Sequence, residues 1–243
     1  MSGYNAKGVQ FISGNIDIIN IGGTILTLTS FLIYLLAAVI LLHIPILGKY
    51  VAVIQTLIHE IGHGVMAIIC GGKVKKIHLF ANTEGLAFTM HANWFSRFIT
   101  TLSGYVFASA FSFFSIWMIT IGAYRMLLFI YIGLCLTALV LWIRNLYGFI
   151  WIVCASSVFL WLSIYGSAML KVHILQLLTC ILFAESIKSA FTILYLSIKR
   201  PKRAGDATSL AEMTKIIPAF IWGFLFFSQA LFFSYLSVNH IIQ

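Results

Sequence analysis

The apolar residues of this chain fall in runs long enough to cross a lipid bilayer, and that property constrains its fold more than any other. Seven stretches, about 21–44, 51–71, 98–121, 126–143, 145–165, 172–198 and 216–238, approach or exceed the roughly 18–20 residues that cross about 30 Å of hydrocarbon as helix. Of the 243 residues, 61% are hydrophobic and 9% charged. An average soluble domain is about 25% charged, so this chain lacks the ionic groups to cover a globular surface. The expected fold class is an all-α polytopic membrane protein with about seven transmembrane helices. Only Arg144-Asn145 separates the fourth and fifth stretches, which leaves one long or broken helix there as an alternative. Residues 1–20 are polar and Gly/Asn-rich, without the basic-then-apolar order of a cleavable signal, so the first span is expected to insert as an uncleaved anchor. The organisation expected is a cytoplasmic segment over 1–20 and a single integral-membrane domain over 21–243.

The net charge of +9 is distributed as in a membrane protein. With seven spans, one face receives Lys7, Lys73, Lys75, Lys76, Arg97, Arg144, Lys199, Arg200, Lys202, Arg203 and Lys215, while the other receives only Lys49, Arg125 and Lys171. This bias puts the N-terminus in the cytoplasm and the basic loops against anionic lipid heads. It gives no support to a nucleic-acid partner. Cys70, Cys135, Cys154 and Cys180 all lie in apolar stretches and read as small core residues, neither a disulfide framework nor a metal cluster.

The chemistry is carried by the second span, VAVIQTLIHEIGHGVMAIICGG, which contains His59-Glu60-Ile61-Gly62-His63. Residues four apart share one helix face, so both imidazoles can reach one cation. Zinc favours such nitrogen ligands and, in catalytic sites, takes three protein ligands plus water. Glu60 lies beside that face, where a carboxylate can take a proton from the activated water and later deliver it to the leaving amine. Burying a carboxylate near mid-membrane costs about 2.5–3.5 kcal/mol on insertion scales, which argues for a functional reason. Gly62 and Gly64 flank the second histidine and leave room for a helix or a substrate backbone. Beyond Gly71-Gly72, the β-prone runs around the turn ANTEG predict a short hairpin, about 73–80 with 85–91. An edge strand there can hold an extended substrate, and an ordinary cytoplasmic connector is the alternative. His78 and His91 read as interfacial histidines.

His59-Glu60-Ile61-Gly62-His63-Gly64, followed by Cys70-Gly71-Gly72-Lys73-Val74, resembles the site-2 protease family of intramembrane zinc metallopeptidases, most closely its short bacterial branch without a PDZ domain. Leu102-Ser103-Gly104-Tyr105 is similar to that branch, as is Gly205-Asp206-Ala207-Thr208-Ser209-Leu210-Ala211. The resemblance implies a bacterial plasma-membrane enzyme cleaving a transmembrane or membrane-proximal segment of a partner protein. It also implies an Asp as third zinc ligand. The Leu-Asp-Gly motif that carries this Asp in better-known branches has no counterpart here; Arg144-Asn145-Leu146-Tyr147-Gly148 stands nearest in position. Among the acidic residues, Asp17 precedes the first span, Glu84 lies in the turn, and Glu185 is expected to pair with Lys188 within its helix. Asp206 is therefore expected as third ligand, with Asn145 as alternative and a helix N-cap as the competing role for Asp206. For Asp206 to serve, the 199–215 loop must dip towards the histidines.

The expected site comprises His59, His63 and Asp206 on zinc, with Glu60 as the catalytic acid/base of an intramembrane metalloendopeptidase. A second possibility is a non-catalytic metal-binding or helix-binding scaffold, suggested by the missing Leu-Asp-Gly. A transporter, suggested by Glu185, Lys188 and Arg144, lacks repeated halves.

Overall fold

The computed structural model describes residues 26–242. Eight α-helices and one hairpin follow in the order α1 (Leu28–His43), α2 (Leu47–Ile69), β1 (Lys73–Leu79), β2 (Gly85–Met90), α3 (Trp94–Thr120), α4 (Tyr124–Leu141), α5 (Leu146–Tyr165), α6 (Ala168–Lys199), α7 (Gly205–Thr214) and α8 (Ala219–Ile242). Six of them, α2 to α6 and α8, are long and apolar enough to cross a bilayer. Outward-facing positions are apolar, as in Ile33, Val140, Phe224 and Phe232, each more than half exposed, so the solvent this surface suits is lipid.

The first span is shorter than expected. Thr27 and Ser30 form a reciprocal capping box that starts α1 at Leu28, and its 16 residues rise only about 24 Å. The expected segment 1–20 and the start of the 21–44 span lie outside the described residues. The fourth and fifth stretches are separate helices. Between them, the Ile77 amide donates to the Trp142 carbonyl at 2.7 Å and Ile143 bridges Ile77 in parallel, so the connector lies along β1 like a one-residue strand. Arg144 donates to the carbonyls of Val140, Leu141 and Ile143 and so closes the C-terminus of α4. That accounts for one charge that suggested a transporter. Lys188 and Glu185, 2.6 Å apart on α6, account for the others.

The hairpin sits where the pattern places it. Gly71, with φ of 75°, ends α2 in the left-handed conformation, and the amides of Gly72 and Gly71 bond back to Ala67 and Ile68. This is a Schellman closure, and it turns the chain directly into β1. A Cβ at Gly72 would sit 2.9 Å from the Ala67 carbonyl oxygen, so no larger residue fits. β1 pairs antiparallel with β2 from Lys73 opposite Met90 to Leu79 opposite Gly85, with an irregularity between Val74 and Lys76. Ile77 and Leu79 are fully buried against α2, which fixes which face of the hairpin looks inward.

α2 is the centre of the bundle. It packs chiefly on α3 and also meets α1, α6 and both strands. Leu57, Ile58 and Ile61 lie in one buried cluster with Phe111, Tyr131 and Leu182. The 199–215 stretch is no open loop: a 3-10 turn over Pro201–Arg203 leads into α7, whose Ala207 and Leu210 are buried with Tyr105, Trp222 and Phe226. Thr208 ties this turn together, donating to the Pro201 carbonyl at 2.6 Å and accepting from the Ala204 amide at 2.9 Å.

Candidate metal centre

The two imidazoles on α2 converge as their spacing requires. The Nε2 atoms of His59 and His63 are 3.0 Å apart, and the rings are nearly perpendicular at 88°. The inward dip of α7 brings the Asp206 Oδ2 to 3.3 Å from His59 Nε2 and 3.2 Å from His63 Nε2. Three donors each about 2.0–2.1 Å from one tetrahedral zinc ion stand about 3.3 Å from one another. The triangle of 3.0, 3.2 and 3.3 Å therefore fits a shared cation of that size. Among the described residues, these three form a group of His, Cys, Asp or Glu side chains able to hold a metal ion.

Neighbouring groups orient the donors. His63 Nδ1 lies 2.7 Å from the Thr100 carbonyl oxygen, an acceptor only, so Nδ1 carries the proton and Nε2 presents a lone pair to the triangle. Ser103 donates to the same carbonyl at 2.7 Å and to the Gly62 carbonyl at 3.1 Å, joining α3 to α2 at this level. Tyr105 packs edge-on against His59 with centroids 4.5 Å apart. Gly104 makes the fit possible, because a Cβ there would stand 2.6 Å from the Cε1 atoms of both His59 and His63. Burial alone would push the Asp206 carboxyl up; positive charge on the side of the triangle shared with His63 and His59 outweighs it and holds the group well below the ordinary carboxylate range. It is an anionic donor.

Asp206 does not act as an N-cap. It lies inside the first turn of α7, and no side chain caps that helix. Asn145 stands apart from the cluster: its Nδ2 donates to the Leu79 carbonyl at 2.7 Å and its Oδ1 accepts from the Leu79 amide at 3.2 Å. Both ends of the amide are committed to β1, so Asn145 holds the hairpin. His78 packs against Phe80 and Phe88, and His91 bonds Thr89; neither belongs to the triangle.

Glu60 is 5% exposed and lies within electrostatic range of His59, His63 and Asp206. Its carboxylate faces the Ala87 amide of β2. The start of β2 presses against it: a Cβ at Gly85 would be 2.7 Å from Glu60 Cγ and 2.6 Å from Thr56 Cγ2. Thr56 fastens the turn by donating to the Thr83 carbonyl at 2.7 Å. The arrangement places a carboxylate, a cation site and a strand of backbone side by side within the bundle. Gly104 belongs to a segment whose resemblance pointed to it, but the motif gave it no role. Thr100 acts through its carbonyl, which no side-chain pattern reveals.

A family profile described as Peptidase M50B-like matches residues 31–237. No curated protein and no solved structure matches the chain.

Proposed function

The chain belongs to the Peptidase M50B-like family, within the site-2 protease-like superfamily, and from that premise we propose that it is a zinc-dependent endopeptidase cutting a transmembrane or membrane-proximal segment of a partner protein. The observation that carries the reading is the set of three donors within 3.0–3.3 Å of one another on α2 and α7, with Glu60 beside them. The family match over 31–237 also supports treating 21–243 as one integral-membrane domain.

In this reading His59, His63 and Asp206 hold the metal, which supplies Lewis acidity: water acidic enough to ionise near pH 7 and a polarised substrate carbonyl. Glu60 takes the proton as the water oxygen bonds to the carbonyl carbon. It delivers that proton to the amide nitrogen as the C–N bond breaks, leaving a carboxylate and an amine. The Thr100 carbonyl keeps His63 in the tautomer that presents Nε2. Unwound substrate lies beside β2, whose backbone already faces Glu60. The absence of a Leu-Asp-Gly motif favoured a non-catalytic scaffold; Asp206 supplies a carboxylate by another route, and a buried Glu60 has no use in a scaffold. The short branch without a PDZ domain, a bacterial plasma membrane and a cytoplasmic N-terminus complete the proposal, the last resting on the distribution of lysine and arginine.

The test is cleavage of single-span proteins in reconstituted bilayers, comparing wild type with Glu60→Gln, with zinc measured in both. The expected result is full zinc content in each and cleavage by wild type alone. Undiminished cleavage by Glu60→Gln removes Glu60 from the mechanism.

A further inference from the structure

Tyr105 carries a phenol to the metal centre, and its hydroxyl has no structural task there. The ring lies edge-on to His59 with centroids 4.5 Å apart, and it also packs on Phe226 at 4.7 Å. Both carboxylates of the centre, Asp206 and Glu60, lie within electrostatic range of the hydroxyl. Among the described residues, no side chain or backbone group is hydrogen-bonded to that hydroxyl, although Tyr105 is only 9% exposed. A buried hydroxyl without a partner is destabilising, and phenylalanine would pack as well without that cost. Inner tyrosines elsewhere in the bundle do have partners: the Tyr131 hydroxyl meets Ser115 Oγ at 3.2 Å, and the Tyr34 hydroxyl bonds His173.

The position suits a donor to a substrate. α3, which carries Tyr105, packs on the flank of α2 where Gly62 lies, so that a Cβ at Gly62 would stand 2.6 Å from the Phe107 Cβ. The hairpin packs on the flank where Glu60 lies, with Gly85 against the Glu60 Cγ. At about 100° per residue, Glu60 and Gly62 project about 160° apart around α2, and His59 and His63 fall between them. The donor triangle is thus bordered by the carboxylate on one side and by the helix carrying the phenol on the other. A carbonyl lying over the triangle has its carbon open to water on the Glu60 side and its oxygen towards the α3 side. The phenol is also held in advance. The Tyr105 carbonyl accepts from Gln229 Nε2 of α8 at 3.3 Å, and the residue is buried among Ala207, Trp222 and Phe226. A donor fixed before the reaction, in apolar surroundings, stabilises developing charge without having to reorganise.

We propose that the Tyr105 hydroxyl is a further catalytic group of this centre, donating a hydrogen bond to the scissile carbonyl oxygen as that oxygen gains negative charge. The role rests on the peptidase reading. The hydroxyl keeps its proton throughout, so the transfer from water through Glu60 to the leaving nitrogen is unchanged. The missing partner of the phenol is the substrate itself.

Tyr105→Phe removes the hydroxyl and keeps the ring. With single-span proteins as substrates in reconstituted bilayers, it should lower kcat by about 100–1,000-fold and leave KM nearly unchanged, the loss expected when one oxyanion donor is removed. Zinc content and helix content by circular dichroism should match wild type. A second readout needs no turnover. Cobalt(II) replaces zinc in the full chain, and acetohydroxamate, whose carbonyl oxygen stands in for that of the substrate, is titrated while the visible cobalt bands are followed. The bands without acetohydroxamate should coincide in the two proteins. Tyr105→Phe should then bind acetohydroxamate about tenfold more weakly, the effect of losing one hydrogen bond to a charged acceptor. Equal kcat, or equal acetohydroxamate affinity, overturns the proposal. So does loss of zinc from Tyr105→Phe, since the phenol is then a support for His59. Equal cleavage by wild type and Glu60→Gln refutes the peptidase reading, whereas equal cleavage by wild type and Tyr105→Phe refutes the role given to Tyr105 alone.

Discussion

Gly104→Ala tests the metal centre at its tightest point. The added methyl would lie 2.6 Å from the Cε1 atoms of both histidines, whereas carbon atoms in contact normally stand about 3.5–4.0 Å apart. The rings, or α3 against α2, must therefore yield by about 1 Å. Neither ring has that freedom: His63 is tied to the Thr100 carbonyl at 2.7 Å and His59 rests on Tyr105. Metal–ligand distances tolerate only about 0.2 Å, so the donor triangle cannot survive the shift. Disturbing a metal ligand's support costs about 10–100-fold in affinity, and moving two ligands together belongs at or beyond the upper end. The helix itself gains, because alanine is favoured over glycine in helix interiors by about 0.8–1.0 kcal/mol. The expected outcome is a folded protein with native helix content by circular dichroism that loses zinc to a chelator at about 100-fold lower concentration than wild type does. Gly133→Ala on α4, where an added Cβ meets nothing within 4 Å, is the control and should keep wild-type affinity. A Gly104→Ala protein with unchanged zinc affinity would refute the geometric argument.

The hairpin yields two further expectations. Asn145→Leu strands the Leu79 amide and carbonyl that the side chain now satisfies, so thermal unfolding in detergent should show a loss of about 1–3 kcal/mol per unpaired group, with zinc retained. Loss of zinc from that variant would make Asn145 a ligand after all. Gly85→Val drives a side chain against Glu60 and Thr56, and it should keep zinc while losing most cleavage; wild-type turnover would show that β2 does not hold Glu60 in place.

The membrane fold was largely legible because span length and hydropathy are local properties. So was the hairpin, since Gly71-Gly72 ends α2 and alternating apolar residues mark β1. His59 and His63 could be paired from spacing alone because a helix fixes their separation. Other features depend on contacts between distant segments. That Asp206 reaches the histidines rests on α7 burying Ala207 and Leu210 against α3 and α8, which the polar composition of 199–215 conceals. The commitment of Asn145 to Leu79 depends on β1 meeting the α4–α5 connector, a pairing of residues far apart in the chain. The start of α1 at Leu28 turns on the capping pair Thr27 and Ser30, which a hydropathy window passes over.

The central claim is that one zinc ion is shared by His59, His63 and Asp206 inside the membrane domain. X-ray absorption at the zinc edge of the purified full-length protein tests it most directly. The account predicts one zinc per chain with only nitrogen and oxygen neighbours at about 2.0–2.2 Å, two of them imidazoles, and loss of the metal in Asp206→Ala. Sulfur neighbours near about 2.3 Å, or an unchanged spectrum at full occupancy in Asp206→Ala, would contradict it.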